Sequence, residues 1–275
     1  VVIRCILSME NALQEMTKMN PQINITHDAS YHDMYYMNYD DTLLFKKRMP
    51  TSAMVPYTEF CKNHEHPERV MRLLFNDDDY WKNHLNADKL YEVLFKQASN
   101  VQSTELRKSM SLYDLFTDDE IYDLWQINNA WWYINYGACP LNGGKQPYSQ
   151  RNLLRKIISD ADSCIALPHP GATLRYGHDT MVMPLTCLMD LDGMGMQVSD
   201  LEQLAYKGWN NYRIFPMACN IQLVFYHKKD SKDILVKVLR NENEATLPIK
   251  TDIAPYYHWK DVRQYYLDKL NKFTE

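Results

Sequence analysis

The spacing of hydrophobic positions changes twice along this chain. Ile6, Met9, Leu13 and Met16 recur at intervals of three and four residues, which predicts an amphipathic helix over 8–19 with Ser8 able to cap it. The opening VVIRCIL reads as a strand entering that helix, and NPQINITHDAS as a loop or short strand. From about 32 to 162 the period stays helical. Val70, Leu73 and Leu74 share a face, and Leu90, Val93, Leu94 and Val101 repeat in a second segment that Asn86 or Asp88 can cap. Thr117-Asp-Asp-Glu120 has the form of a capping box before Ile121, Leu124, Trp125 and Trp132, with Gly137 as a natural end. A further helix begins near Ser149 and carries Leu153, Leu154, Ile157, Ile158 and Ala161.

After residue 163 the grammar is different. CIALPHPGATLRYG is strand-like with turn residues inside it. Asp179 or Thr180 starts a helix through Leu185 and Leu188, with Pro184 near its first turn. NIQLVFYH and DILVKVLR alternate as two strands, and KKDSK between them suits a hairpin turn. WKDVRQYYLDKLNKF closes the chain as an amphipathic helix presenting Val262, Tyr266, Leu270 and Phe273. The order predicts an α/β sheet domain, 1–30 and 160–275, interrupted by an inserted α-helical domain, 31–159.

Composition narrows the picture. The 275 residues suffice for one large domain or two ordinary ones, and 45% hydrophobic with 24% charged residues is globular. A net charge of -5 speaks against a nucleic-acid partner, whose phosphates need a basic face, although a local basic pocket stays compatible with it. No run of about 18 apolar residues is present to span a membrane. The six cysteines are dispersed without a CxxC, against structural zinc. They read either as buried free thiols or as including one disulfide at Cys139. The chain begins with Val and shows no signal-peptide layout, which reads as a start inside a larger fold, with a proteolytic boundary as the alternative.

Chemistry concentrates in RYGHDT. His178 and Asp179 stand where a strand is expected to end and a helix to begin, the edge at which open α/β sheets bind ligands. Free N–H groups and the positive end of the helix dipole favour an anion there. An imidazole can contact a phosphoryl oxygen, and an adjacent carboxylic acid can protonate a leaving oxygen. The plain alternative is a turn histidine with a capping aspartate. Lys145, Arg151 and Arg155 could clamp further phosphates or be ordinary helix charge, and Arg175 could face the site or pair elsewhere. His64 and His66, like His27 and His32, have no carboxylate or thiolate constellation around them and read as surface or packing residues; no metal or other cofactor is expected.

RYGHDTMVMPLTCLM resembles the C-terminal signature of the histidine acid phosphatases. LFTDDEIYDLWQINNAWWYINYGACPLNGGKQPYSQRNLLRKIISDAD and FPMACNIQLVFYHKKDSKDILVKVLRNENEATLPI are similar to the branch that includes multiple inositol polyphosphate phosphatases and phytase-like enzymes of bacteria. The resemblance covers most of the chain. It implies a mixed-sheet α/β phosphatase domain with a large helical cap, acting on a small phosphorylated substrate, plausibly an inositol phosphate, through a phosphohistidine and without metal. His178 would be a phosphate ligand and Asp179 the proton donor. It also implies export to the periplasm or medium. The family's nucleophile lies in an RHGxRxP motif, and none of the nine histidines here stands in Arg-His-Gly. The chain therefore resembles the C-terminal two-thirds of such an enzyme, with Arg4 matching a supporting arginine and the nucleophile upstream. A second departure is His-Asp-Thr where many inositol polyphosphate phosphatases carry His-Ala-Glu. A non-catalytic phosphate-ester binder on a degenerate phosphatase fold is the alternative.

Overall fold

The computed structural model describes residues 2–37 and 41–274. Among them the helices are α1 (Ile3–Met19), α2 (Thr42–Phe45), α3 (Thr51–His64), α4 (Glu68–Leu74), α5 (Asp78–His84), α6 (Ala87–Val101), α7 (Asp118–Tyr136), α8 (Arg151–Ile165), α9 (Asp179–Met189), α10 (Asn211–Ile214) and α11 (Trp259–Asn271). The strands are β1 (Ile221–His227), β2 (Ile234–Arg240), β3 (Asn243–Glu244) and β4 (Tyr257–His258). The chain divides into two compact units: Val1–Met49 with Ile134–Ser199 and Trp209–Glu275, and Pro50–Tyr133 with Asp200–Gly208. The second is shorter at both ends than the expected 31–159 insertion and adds a return segment.

The first unit holds the sheet. β1 and β2 form the expected hairpin, in register from Ile221↔Arg240 to His227↔Ile234, and β3 and β4 each pair antiparallel with β2. Alternation along β2 sends Val236 and Val238 into the core. There they join Leu153, Leu154 and Ile158 of α8, Met181, Leu185 and Leu188 of α9, and Val262, Tyr266 and Leu270 of α11. The α8 and α11 positions follow the predicted spacings, because each of these helices buries one stripe in this core, whereas α9 is covered nearly all round.

Three expectations for this unit are corrected. The strand expected in VVIRCIL does not form among its described residues: α1 begins at Ile3, and Ser8 lies inside it, donating to the Arg4 carbonyl at 3.0 Å. A helix satisfies its backbone locally, whereas a strand needs a neighbour, and Cys5 and Ile6 continue the stripe of Met9, Leu13 and Met16. The stretch before His178 is likewise unpaired. Cys164 and Ile165 complete α8, and 166–177 carry no ladder among the described residues. The sheet seen is accordingly antiparallel throughout rather than mixed. All six cysteines are free, Cys139 included.

The second unit is helical. The capping box forms: Glu120 N–H donates to Thr117 Oγ1 at 3.3 Å, and Thr117 N–H to Glu120 Oε2 at 2.8 Å. Arg69 adds its Nε to Glu120 at 2.8 Å, tying α4 to α7. Val70, Met71, Trp81, Tyr91, Ala98, Phe116 and Leu124 make the core. Leu73 and Leu74, expected to share the buried face with Val70, are exposed. The helix ends at Leu74, and Phe75, four residues after Met71, packs on the core instead.

Candidate functional site

His178 is the N-cap of α9, with extended backbone, and its carbonyl accepts from Met181 N–H at 2.9 Å and Val182 N–H at 3.1 Å. The helix behind it is almost wholly buried from Met181 to Met189. Its far end is closed from α11: Tyr266 Oη donates to the Met189 carbonyl at 2.7 Å and Lys269 Nζ to the Leu188 carbonyl at 2.6 Å. These two donors satisfy carbonyls that the helix leaves open, and a cation at a helix C-terminus meets the dipole favourably. Burial draws the Lys269 pKa below its ordinary value. Gly177 admits the close approach at the start, since a Cβ there would meet Met181 Sδ at 3.0 Å.

The first turn of α1 meets this corner. Arg4 Nη2 lies 3.4 Å from His178 Nδ1. Cys5 Sγ donates to the Gly177 carbonyl at 3.6 Å and stands 3.9 Å from both ring nitrogens. Burial, then the Arg4 charge, lowers the pKa of His178, and Asp179 partly opposes this. The imidazole is thus neutral at pH 7, and its protonation is shifted towards more acid pH. Asp179 Oδ1 accepts from Thr180 N–H at 2.8 Å in the exposed first turn. The Cys219 thiol is pushed up to about 11, first by burial and then by the Asp179 charge. The corner therefore gathers a guanidinium, an imidazole, a carboxylate and the Cys5 thiol at a helix N-terminus.

The other candidate residues have partners of their own. Arg175 pairs with Asp160 of α8, which also holds Lys156 at 2.6 Å. Lys145 Nζ donates to the Thr274 carbonyl at 2.8 Å, and Arg155 to Asn271 Oδ1 at 2.9 Å. Arg151 pairs with Asp41 and donates to the Tyr148 carbonyl at 3.0 Å. Cys5 and Cys219 carried no signal in the sequence. A single cysteine in a helix or turn has no spacing to read, and the contact of Cys5 with His178 spans 173 residues.

No family model and no curated protein matches the chain. Among solved structures it is similar to the multiple inositol polyphosphate phosphatase of Bifidobacterium longum in complex with inositol hexasulfate, with a TM-score of 0.55 and 19% identity. The match covers 66% of this chain and 39% of that one. At this identity the likeness speaks for the fold alone, which in this chain is a helix-rich α/β arrangement with a small antiparallel sheet. No helix among the described residues is long and apolar enough to cross a membrane.

Proposed function

We propose that the corner of Arg4, His178 and Asp179 is the phosphate-holding and proton-donating half of a phosphomonoesterase site, acting on a small phosphorylated substrate of the inositol phosphate class. The observation that carries this reading is the meeting of the Arg4 guanidinium with the His178 imidazole at the N-terminus of α9, with Asp179 next in the chain. Guanidinium and imidazole donors suit phosphoryl oxygens, and their charge is worth most where it develops in the transition state. Asp179 would give its proton to the departing alcohol as the ester P–O bond breaks. The attacking nitrogen would form a P–N bond, which water then cleaves to release phosphate and restore the enzyme. None of this chain's histidines has the Arg-His-Gly setting, so the proposal assigns the attacking imidazole to residues outside this sequence. The same observation favours, as the second reading, a protein that binds phosphate esters without hydrolysing them.

Inositol hexasulfate separates protein titration from ligand titration, because its charge does not change between pH 5 and 8. The chain is expected to bind it more tightly at pH 5 than at pH 8, as His178 gains its proton beside the anion. Arg4→Ala and His178→Ala should each weaken binding by about tenfold or more, the scale of one charge-assisted hydrogen bond. Undiminished binding in both variants would remove the corner from the role. Turnover is then measured on inositol hexakisphosphate with EDTA present, for this chain and for a longer one that supplies an Arg-His-Gly segment. Hydrolysis by this chain alone contradicts the assignment of the nucleophile, and binding without turnover by both chains selects the non-catalytic reading.

A further inference from the structure

The second unit contains a histidine whose two ring nitrogens both face carboxylates. His64, the last residue of α3, places Nδ1 2.7 Å from Asp123 Oδ1 on α7 and Nε2 2.9 Å from Glu202 Oε2 in the return segment Asp200–Gly208. A carboxylate only accepts, so both nitrogens donate in this geometry, and the ring that fits is the imidazolium. The neutral ring has one N–H and would turn a lone pair on one of the two oxygens.

The surroundings fix the ring. Its side chain is 12% exposed, against 26% for Asp123 and 46% for Glu202. Phe60, one turn earlier on α3, packs against it with centroids 4.4 Å apart. Gln126, one turn after Asp123, donates to Asp123 Oδ1 at 3.2 Å, and its Nε2 also lies 3.4 Å from His64 Nδ1, where it would serve the neutral ring as a donor once Nδ1 has lost its proton. Glu65 follows α3 directly, and burial, then the like charges of Asp88 and Glu92 on α6, raises its pKa. The charges facing the imidazole are therefore Asp123 from α7 and Glu202 from the return segment. Asp200 sets Glu202 in place by accepting its N–H at 3.1 Å, and Leu201 and Leu204 are buried on either side.

We propose that His64 is a pH-operated latch that holds the return segment Asp200–Gly208 onto α3 and α7. Protonated, it ties the segment through Glu202 and the helix through Asp123. Deprotonated, it can donate to only one of them; when that one is Asp123 the segment loses its charged tie through Glu202 and is held by packing that includes the buried Leu201 and Leu204. Burial disfavours the charged ring, but the hydrogen bonds and charges of Asp123 and Glu202 outweigh it and raise the pKa above the ordinary value. A raised pKa in the latched state means the latch is fully engaged below about pH 6.5. It is lost as pH rises through the latched-state value. The opening equilibrium should rise about tenfold for each unit by which the latched pKa exceeds the unlatched one. The proposal is independent of any role for His178.

The test is hydrogen exchange of the purified chain at pH 5.5 and pH 9, expressed as protection factors, with the His64 titration followed by NMR of its ring carbon. Peptides covering 200–208 should lose protection at pH 9 while those of the β1–β2 hairpin do not. Glu202→Gln, a change at a half-exposed position that spares the fold, should shrink that loss, and His64→Gln should abolish it. Equal protection of 200–208 at both pH values overturns the latch. So does a loss shared equally by the hairpin, or a loss that persists at full size in Glu202→Gln.

Discussion

His178 in the first unit and His64 in the second are the same side chain, each partly covered, in opposite fields. His178 has a guanidinium at one ring nitrogen, and with burial this holds its pKa down. His64 has a carboxylate at each nitrogen, and these raise its pKa despite burial. A neutral ring beside a cation gains most from an arriving anion. An imidazolium already bound to two carboxylates has no N–H left to offer one. The comparison therefore shows two histidines of similar burial whose pKa values move in opposite directions because of their charged neighbours; the anion-receiving role proposed for His178 needs the first kind of field.

The largest expected effect breaks the receiving side. In a chain that carries the attacking histidine, Asp179→Asn should slow hydrolysis of esters with poor leaving groups by about 10²- to 10⁴-fold, the range of general acid catalysis. Esters with good leaving groups should be nearly unaffected, because they depart without a proton. Steady-state rates across a series of aryl and alkyl phosphates give the slope, and unchanged rates at both ends take Asp179 out of the role. Next in size is the support behind the corner. Lys269→Met leaves the Leu188 carbonyl at the buried end of α9 without its donor, at a cost of about 1–3 kcal/mol. Calorimetry should show Tm falling by a few degrees per kcal/mol. The charge of Lys269 is disfavoured by burial, so a Tm that does not fall would mean the desolvation of the lysine outweighs its bond.

A smaller effect makes the two rings converge. Arg4→Gln removes the cation at His178 and should raise that pKa, while Asp123→Asn removes a carboxylate at His64 and should lower its value. Ring-carbon NMR titrations of both variants read the shifts directly. If the His178 pKa stays where it was in Arg4→Gln, burial and Asp179 set it and the guanidinium is not felt at the ring.

How much of this was legible follows from distance along the chain. The hairpin, α8 and α11 were readable because period two and period 3.6 are local patterns, and the capping box because its reciprocal bonds lie three residues apart. His178-Asp179 stood out because two chemical groups adjoin at an expected helix start. Arg4 was reached only through resemblance, and Cys5 not at all. His64 read as a surface or packing histidine because its carboxylates lie 59 and 138 residues away, invisible to any window around it. The expected strand before His178 had the right composition, but a strand is made by its partner, and composition does not supply one.

The smallest prediction uses a third histidine to isolate the solvent. His258 repeats the arrangement of His64, with Nδ1 2.8 Å from Asp233 Oδ2 and Nε2 3.1 Å from Asp252 Oδ1, and those carboxylates raise its pKa. Its side chain is twice as exposed, and Asp252 is 80% exposed. Its contribution has the same sign as that of His64, present below about pH 6.5 and lost as pH rises through the folded value. Water and salt screen an open pair where they do not screen a covered one. His258→Gln should therefore leave Tm unchanged at 0.15 M salt and lower it only at low ionic strength, whereas His64→Gln should lower protection of 200–208 at both salt concentrations when measured at pH 5.5. Equal salt dependence at the two histidines would mean that cover does not distinguish them, and the latch would then be one more exposed ion pair.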